Sequence, residues 1–143
     1  APFAEEGGEN PYDVQRDLQE VMHSLVGIIR TGSELEQALT EIQRLKERAS
    51  RLTVEGNRQY NPGWHLALDL QNMLLVSECI ARAALERKES RGGHTRDDYP
   101  MTDPEWGKKN IVLRMSDDGG VDLYHQPLPE MPDELKSLFE EQR

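Results

Sequence analysis

Apolar residues recur at spacings of three and four over the first part of the chain, the period expected of a helix with one buried side. Asn10 and Pro11 open this stretch as an N-cap and a first helical residue, and Gly32 closes it. The sequence therefore predicts a first helix from Asn10 to about Gly32, with a buried stripe formed by Val14, Leu18, Val21, Met22, Leu25 and Ile29.

A second helix is predicted to begin directly after Gly32. Ser33 and Glu36 have the capping-box spacing, in which each side chain accepts a hydrogen bond from the other residue's backbone N–H. Because the connection through Gly32 is short, we expect the first two helices to run antiparallel. Gly56 marks the end of the second helix, whose apolar seam is formed by Ala38, Ile42, Leu45, Ala49 and Leu52.

A third helix is predicted over residues 63–87, with Asn61 and Pro62 as its cap. Its apolar residues surround the helix instead of forming one stripe, so it needs neighbours on more than one side. Two amphipathic helices do not cover it completely, and either the C-terminal third of the chain or another domain must cover the remainder. The core predicted for the three helices contains Leu25, Ile42, Leu45, Met73, Val76 and Ile80.

The last third of the chain has a different pattern. Residues 111–115 and 121–125 flank the turn sequence Ser-Asp-Asp-Gly-Gly, which predicts a β-hairpin. Pro127, Pro129 and Pro132 then indicate an extended segment before a short helix over residues 133–141. The predicted fold class is mainly α: a three-helix antiparallel bundle, similar to a spectrin repeat, with a C-terminal β-hairpin and an extended tail.

Length and composition limit what the chain can be. Its 143 residues, 36% of them hydrophobic, suit one modest core, so we expect a linker over residues 1–9 and one domain over residues 10–143. Within that domain, the bundle occupies residues 10–88 and the loop, hairpin and tail occupy residues 89–143. A net charge of −10 argues against nucleic acid as a partner, and the apolar runs are too short for direct membrane insertion.

The residues that could carry chemistry do not form a recognisable set. The four histidines show no metal-ligand spacing and fall in different predicted elements, so no metal site is predicted. Carboxylates at Glu86, Glu89, Asp97 and Asp98 could act as an acid–base pair, but such a charge run is usually solvated. We therefore predict no catalytic, cofactor-binding or metal-binding residues in this chain.

The most informative segment is the polar loop after the third helix, residues 89–100. Read as an isolated segment, it is a solvated turn with glycines for backbone freedom. Its sequence also resembles a signature found late in the flavoprotein subunits of succinate dehydrogenases and fumarate reductases. That signature reads Arg-Gly-x-His-x-Arg-x-Asp-x-Pro after Glu-Ser, and it is matched here by Arg91, Gly92, His94, Arg96, Asp98 and Pro100.

The resemblance extends beyond the loop. Residues 61–64, residues 69–74 and the segment from Leu18 to Arg30 also resemble that family, so the similarity runs from about Asn10 to Tyr124. The part resembled is the C-terminal helical domain, whereas the flavin and the dicarboxylate are held by domains that precede it. L-Aspartate oxidases are related but commonly lack the second arginine, which Arg96 supplies here.

The resemblance implies a structural and interaction domain. The full-length subunit would interconvert succinate and fumarate with FAD and pass electrons to an iron–sulfur subunit, while this fragment would bind no cofactor. The implied partners are the flavin-binding and capping domains of the same subunit, together with the iron–sulfur subunit. The implied location is cytoplasmic, peripheral on the inner face of the cell membrane through partner subunits. The alternatives are a freestanding helical adaptor and the equivalent domain of an L-aspartate oxidase.

Within that family, the loop is expected to dock the bundle onto the flavin-bearing domains. Arginine forks form fixed, bidentate hydrogen bonds to carboxylates or carbonyls, and glycines let another surface approach closely. We therefore expect Arg91 and Arg96 to be exposed ionic anchors and His94 to be an orienting hydrogen-bonding group. The predicted docking loop comprises Arg91, Gly92, His94, Arg96 and Asp98.

Overall fold

The computed structural model describes residues 8–57 and 59–140. It has helices α1 (Pro11–Leu25), α2 (Gly32–Ala49), α3 (Pro62–Glu86) and α4 (Asp133–Glu140), and strands β1 (Ile29–Arg30), β2 (Thr95–Arg96), β3 (Lys109–Met115) and β4 (Val121–Pro127). The chain forms two compact units, of which the first ends at Asp103 and the second begins at Pro104. The predicted fold class, a three-helix bundle followed by a β-hairpin, is confirmed.

The core of the first unit lies where α1, α2 and α3 pack against one another. The predicted core residues Ile42 and Leu45 are buried, and Leu25 and Met73 are partly buried against them. The prediction was wrong for Val76 and Ile80, whose exposed fractions are 55% and 44%. The core residues contributed by α3 are instead Ala67, Leu70, Leu74, Ala81 and Ala84.

The positions on α3 explain this error. At 3.6 residues per turn, Val76 lies about 200° around the helix from the buried Leu74 and therefore points away from α1 and α2. Because α3 is apolar on all sides, the pattern alone did not show which side faces the bundle. The helix consequently exposes apolar side chains at Leu68, Val76 and Ile80.

Helix α1 ends earlier than predicted. It stops at Leu25, and the β-branched Ile28 and Ile29 that follow favour extended backbone over a further helical turn. Ile29 enters β1, which pairs in parallel with β2, and at 63% exposure it is not part of the buried stripe. This short pairing joins the start of α2 to the loop after α3.

Helix α2 begins with a capping box, but not at the residues predicted. Thr31 is the N-cap: its Oγ1 accepts from the Glu34 N–H at 3.3 Å, and Glu34 Oε2 accepts from the Thr31 N–H at 2.9 Å. Both Thr31–Glu34 and Ser33–Glu36 fit the motif, and the earlier pair is the one used. The helix ends at Ala49, before the predicted Gly56, although Leu52 beyond it is still buried.

The caps of α1 and α3 are as predicted. Asn10 Oδ1 accepts from the Tyr12 N–H at 2.9 Å, and Asn61 Oδ1 accepts from the Trp64 N–H at 3.2 Å. The linker predicted for residues 1–9 lies outside the described residues except for Gly8 and Glu9. No helix within residues 8–57 and 59–140 is long and apolar enough to cross a membrane.

The second unit contains the predicted hairpin. Strands β3 and β4 pair in antiparallel register, which places Leu113 opposite Leu123 and Met115 opposite Val121. Trp106 packs edge-on against His125, with the ammonium group of Lys109 4.1 Å from the Trp106 ring centre. The predicted C-terminal helix is α4, whose expected last residue, Glu141, is outside the described residues.

Candidate functional site

The loop after α3 folds back on itself at a two-residue turn. The backbone N–H of Arg91 donates to the His94 carbonyl at 2.8 Å, and the His94 N–H donates to the Arg91 carbonyl at 3.0 Å. Between them, Gly92 has φ +58, whereas Gly93 lies outside the left-handed region. This combination fits a type II′ turn, which favours glycine at its first central position.

This geometry predicts opposite outcomes for the two adjacent glycines. Gly92→Ala forces a side chain into left-handed backbone and should lower the free energy of unfolding by about 1–2 kcal/mol. Gly93→Ala meets no atom within 4 Å and should be neutral or stabilising by up to about 1 kcal/mol. Urea unfolding of both variants tests the turn, and equal destabilisation would contradict it.

Arg96 is oriented inward, contrary to the sequence prediction. Its exposed fraction is only 2%, so it is not an exposed anchor in this chain. Its Nη1 donates to the carbonyls of Ala84 and Leu85 at 2.8 and 3.0 Å, at the C-terminal end of α3. These carbonyls lack intrahelical partners, and a cation is favoured at that end of the helix dipole.

Asp98 completes the contact on the other side of Arg96. Arg96 Nε and Nη2 donate to the two Asp98 carboxylate oxygens, both at 2.7 Å, in a bidentate pair. Asp98 Oδ2 also accepts from the backbone N–H of Gly32 at 2.9 Å, at the first turn of α2. The Arg96–Asp98 pair therefore joins the end of α3 to the start of α2, with each charge at the helix end that favours it.

Glu89 is, after Arg96, the second buried charged residue of the loop. Its side chain is fully buried, and it accepts from Arg91 Nε at 3.0 Å, from the Asp103 N–H at 2.9 Å and from Arg87 Nη1. Burial raises the pKa of Glu89, but the hydrogen bonds from Arg91, the Asp103 backbone and Arg87 outweigh it and bring the pKa to about 2. Glu89 is therefore a structural carboxylate and not the acid–base candidate considered from sequence.

His94 links three segments of the first unit. Its Nδ1 lies 3.0 Å from Nη1 of Arg30 in β1, and its Nε2 lies 3.1 Å from the carbonyl oxygen of Arg87 after α3. Arg30 Nε also donates to the Gly27 carbonyl at 2.6 Å. The predicted orienting role of His94 thus has partners inside this chain.

The two structural carboxylates predict how stability depends on pH. Hydrogen bonds from Arg96 lower the pKa of Asp98 to about 2, aided by the Gly32 N–H and opposed by burial. Because Asp98 and Glu89 have lower pKa values folded than unfolded, the unfolded chain binds more protons as the pH falls. The stabilisation that these two carboxylates contribute should be fully present above about pH 5 and should decline towards pH 2. Thermal melts across this range should show a shallower decline for Glu89→Gln, because glutamine does not titrate, and an equally steep decline would contradict the role of Glu89.

The loop residues named from sequence are thus brought together, but mostly by internal contacts. Arg96 and Asp98 connect helix ends, His94 contacts Arg30, and Gly92 forms an exposed turn. Sequence reasoning gave no role to Ser90, whose Oγ accepts from the Arg96 N–H at 2.9 Å and donates to the Tyr99 carbonyl at 2.9 Å. Its place directly before Arg91 in the signature was the available signal.

Comparison with known proteins identifies the family. The model of the fumarate reductase flavoprotein C-terminal family matches residues 15–136. The chain is 42% identical over 109 residues to a fumarate reductase flavoprotein subunit of Helicobacter pylori, covering 75% of this chain and 15% of that protein. It is 33% identical over 124 residues to a fumarate reductase flavoprotein subunit of Mycobacterium tuberculosis, covering 86% of this chain and 21% of that protein.

A solved structure agrees with these matches. Mycobacterium smegmatis Sdh1 in complex with UQ1 superposes with a TM-score of 0.91 and 49% sequence identity, covering 98% of this chain and 24% of that one. The chain therefore spans between 15% and 24% of the length of these relatives. Family match, fold and signature loop agree, and the chain belongs to the family of C-terminal domains of fumarate reductase and succinate dehydrogenase flavoprotein subunits.

Proposed function

We propose that this chain is the structural and docking domain of a flavoprotein subunit that interconverts succinate and fumarate. In the whole subunit, FAD held by other domains exchanges a hydride equivalent with the C4 dicarboxylate, and the electrons pass to an iron–sulfur subunit. The complex would be cytoplasmic and peripheral on the inner face of the cell membrane, through its partner subunits. The support is the family match over residues 15–136 together with relatives that are several times longer.

The observation that carries the docking role is the outward face of α3. Val76 and Ile80 are 55% and 44% exposed, and Leu68 on the same helix is 50% exposed. Val76 and Ile80 lie one turn apart, and a contiguous exposed apolar patch commonly marks a contact surface. We assign this surface, Leu68, Val76 and Ile80, to the flavin-bearing part of the same polypeptide, because that part accounts for most of the length of the relatives.

The loop would contribute through its exposed turn. Gly92 and Gly93 are exposed and have open space where a side chain would lie, so another backbone can approach them closely. The Arg91 side chain is 43% exposed and beside this turn. In this proposal Arg96, Asp98 and Glu89 hold the turn in position from inside, and residues 91–93 make the contact. The docking loop named from sequence is thereby divided into a supporting part and a contacting part.

The test is to add charge to the outward face of α3. Val76→Glu with Ile80→Glu should leave this 143-residue chain folded, since exposed substitutions usually change stability by less than about 0.5 kcal/mol. In the full-length subunit the same pair would bury two unpaired carboxylates at the domain contact, which is strongly unfavourable. Both the FAD content of the subunit preparation and its assembly with the iron–sulfur partner should fall.

A matched control places the same two added charges on a different helix. Gln37→Glu with Gln43→Glu places the same two charges on exposed positions of α2. The full-length control should retain FAD and assemble as the unmodified protein does. Equal FAD retention in the α2 and α3 double variants would overturn the docking role of the α3 face.

A further expectation concerns this chain by itself. We expect the purified 143-residue chain to bind no FAD and to turn over neither succinate nor fumarate, because its loop carboxylates and arginines are engaged in structural contacts. Equilibrium dialysis with FAD and a dye-reduction assay with succinate are the measurements. A yellow preparation with stoichiometric flavin would contradict this expectation.

The alternatives make different predictions about the gene. A freestanding adaptor would use the α3 face to bind another protein and would have no flavin-binding sequence upstream of Ala1. The equivalent domain of an L-aspartate oxidase would have a flavin-binding sequence but would oxidise aspartate instead of succinate. Reading the upstream sequence and assaying the full-length protein with both substrates separates the three.

A further inference from the structure

His94 occupies a position where its protonation state decides whether a contact exists. The Arg87 carbonyl can only accept a hydrogen bond, so His94 Nε2 must carry a hydrogen to donate to it across 3.1 Å. The Arg30 guanidinium can only donate, so Nδ1, 3.0 Å away, must be the unprotonated acceptor. Both contacts are satisfied together only by a neutral ring.

The charges around the ring oppose a second proton. Positive groups act on it from three segments: Arg30 beside the ring in β1, Arg96 in β2 and Arg87 after α3. The carboxylates of this region, Glu89 and Asp98, are held in ion pairs with Arg87, Arg91 and Arg96. With a proton on Nδ1, the cationic imidazole would place an N–H donor 3.0 Å from Nη1 of the cationic Arg30, which is also a donor.

Arg30 is the residue that such a proton would release. Its guanidinium donates to the Gly27 carbonyl, and its own carbonyl accepts from the Asp97 N–H at 2.9 Å. Strand β1 contains only two residues, so few other hydrogen bonds hold it to β2. Ile28 and Ile29, 76% and 63% exposed, belong to the same segment.

We propose that His94 is a proton-sensitive latch on residues 27–30: the neutral ring holds Arg30 and keeps β1 paired with β2, and protonation of Nδ1 releases both. The latch itself concerns this chain alone. Its consequence rests on the proposed docking function, because release would loosen the exposed Ile28 and Ile29 beside the signature loop and make domain contact sensitive to acid.

The pKa of His94 agrees in direction with this arrangement. Burial of the ring lowers the pKa of His94 from its ordinary value of 6.5, the hydrogen bond to Arg87 raises it, and the charges of Arg30, Arg96 and Arg87 lower it further. The unfolded or released state therefore takes up the proton more readily than the latched state. Release is increasingly favoured as the pH falls below about 6.5, whereas at higher pH the neutral ring favours the latched state.

The test measures the hydrogen exchange of the Asp97 backbone amide, which reports whether β1 is paired with β2. The Asp97 N–H donates to Arg30 O, so its hydrogen-exchange protection should fall as His94 titrates, by at most about tenfold per pH unit because one proton is involved. The Thr53 N–H, which donates to Glu9 O, is the internal reference and should keep its protection. NMR of the 143-residue chain measures both, together with the His94 ring shifts.

Two variants separate the latch from a general effect of acid. In His94→Asn the side-chain oxygen is bonded to Cγ, as Nδ1 is, so it can accept from Arg30 but cannot titrate. In His94→Leu the side chain is close to asparagine in size but has no acceptor, so the contact with Arg30 is lost. We expect the Asp97 amide to be protected at all pH values in the first variant and unprotected at all pH values in the second.

Specific results would overturn the latch. An Asp97 amide that stays protected while His94 titrates in the unmodified chain would do so, and this measurement needs no variant to fold. Persistence of the acid response in His94→Asn would assign it to another group. Neither result bears on docking through Val76 and Ile80, which is judged by FAD retention in the full-length subunit.

Discussion

Truncation of Leu74 to alanine should destabilise this chain by about 2–5 kcal/mol, because Leu74 is only 1% exposed and its removal leaves a cavity inside the bundle. The matched control is Val76→Ala, two residues along the same helix. Val76 is 55% exposed, so its truncation should change the free energy of unfolding by less than about 0.5 kcal/mol. The two variants remove aliphatic side chains from the same helix and differ mainly in which side of α3 they occupy.

Urea unfolding followed by far-UV circular dichroism measures both variants. The free energy of unfolding should fall for Leu74→Ala with little change in the denaturant slope. A large effect of Val76→Ala in this chain would show that the outward face of α3 is packed internally. That result would also remove the main support for docking through Val76 and Ile80.

The sequence predicted those elements whose signals are local. Asn10 and Asn61 could be recognised as caps because asparagine is favoured at the N-cap and proline at the first helical position after it. The β3–β4 hairpin followed from alternation around a turn rich in aspartate and glycine. The orientation of α3 was not predictable from its own residues, because a helix that is apolar on all sides carries no preferred direction.

The signature loop shows the same distinction between local signals and long-range packing. The signature residues were identified from their spacing, but Arg96 was expected to be an exposed anchor because arginine forks form bidentate hydrogen bonds to carboxylates or carbonyls of a partner surface. Its burial depends on two carbonyls at the end of α3 and on a carboxylate that also contacts the start of α2. These partners are set by the packing of the helices and by the pairing of Ile29 with Thr95, which are long-range features absent from local patterns.

Arg96→Ala should therefore destabilise this chain itself, by roughly 3–5 kcal/mol, since it removes a buried side chain whose charged group donates hydrogen bonds to two carbonyls and to Asp98. The carbonyls of Ala84 and Leu85 lose a charged donor, and Asp98 loses both hydrogen bonds of its bidentate pair. Asp98 keeps the Gly32 N–H and is 36% exposed on its side chain, so water can solvate part of its charge. The effect should accordingly lie nearer the lower end of that range.

Two further substitutions show whether the stabilisation by Arg96 comes from its hydrogen-bond geometry or from its charge alone. Arg16→Ala removes an arginine that is 70% exposed and pairs with Asp13, and it should cost less than about 0.5 kcal/mol. Arg96→Lys keeps the charge but cannot donate to both Asp98 oxygens and to the α3 carbonyls together, so it should recover only part of the loss. Calorimetric melting of the three variants is the measurement. An unchanged melting temperature for Arg96→Ala would mean that the arginine does not connect α3 to α2, and the signature would then act through contacts outside this chain.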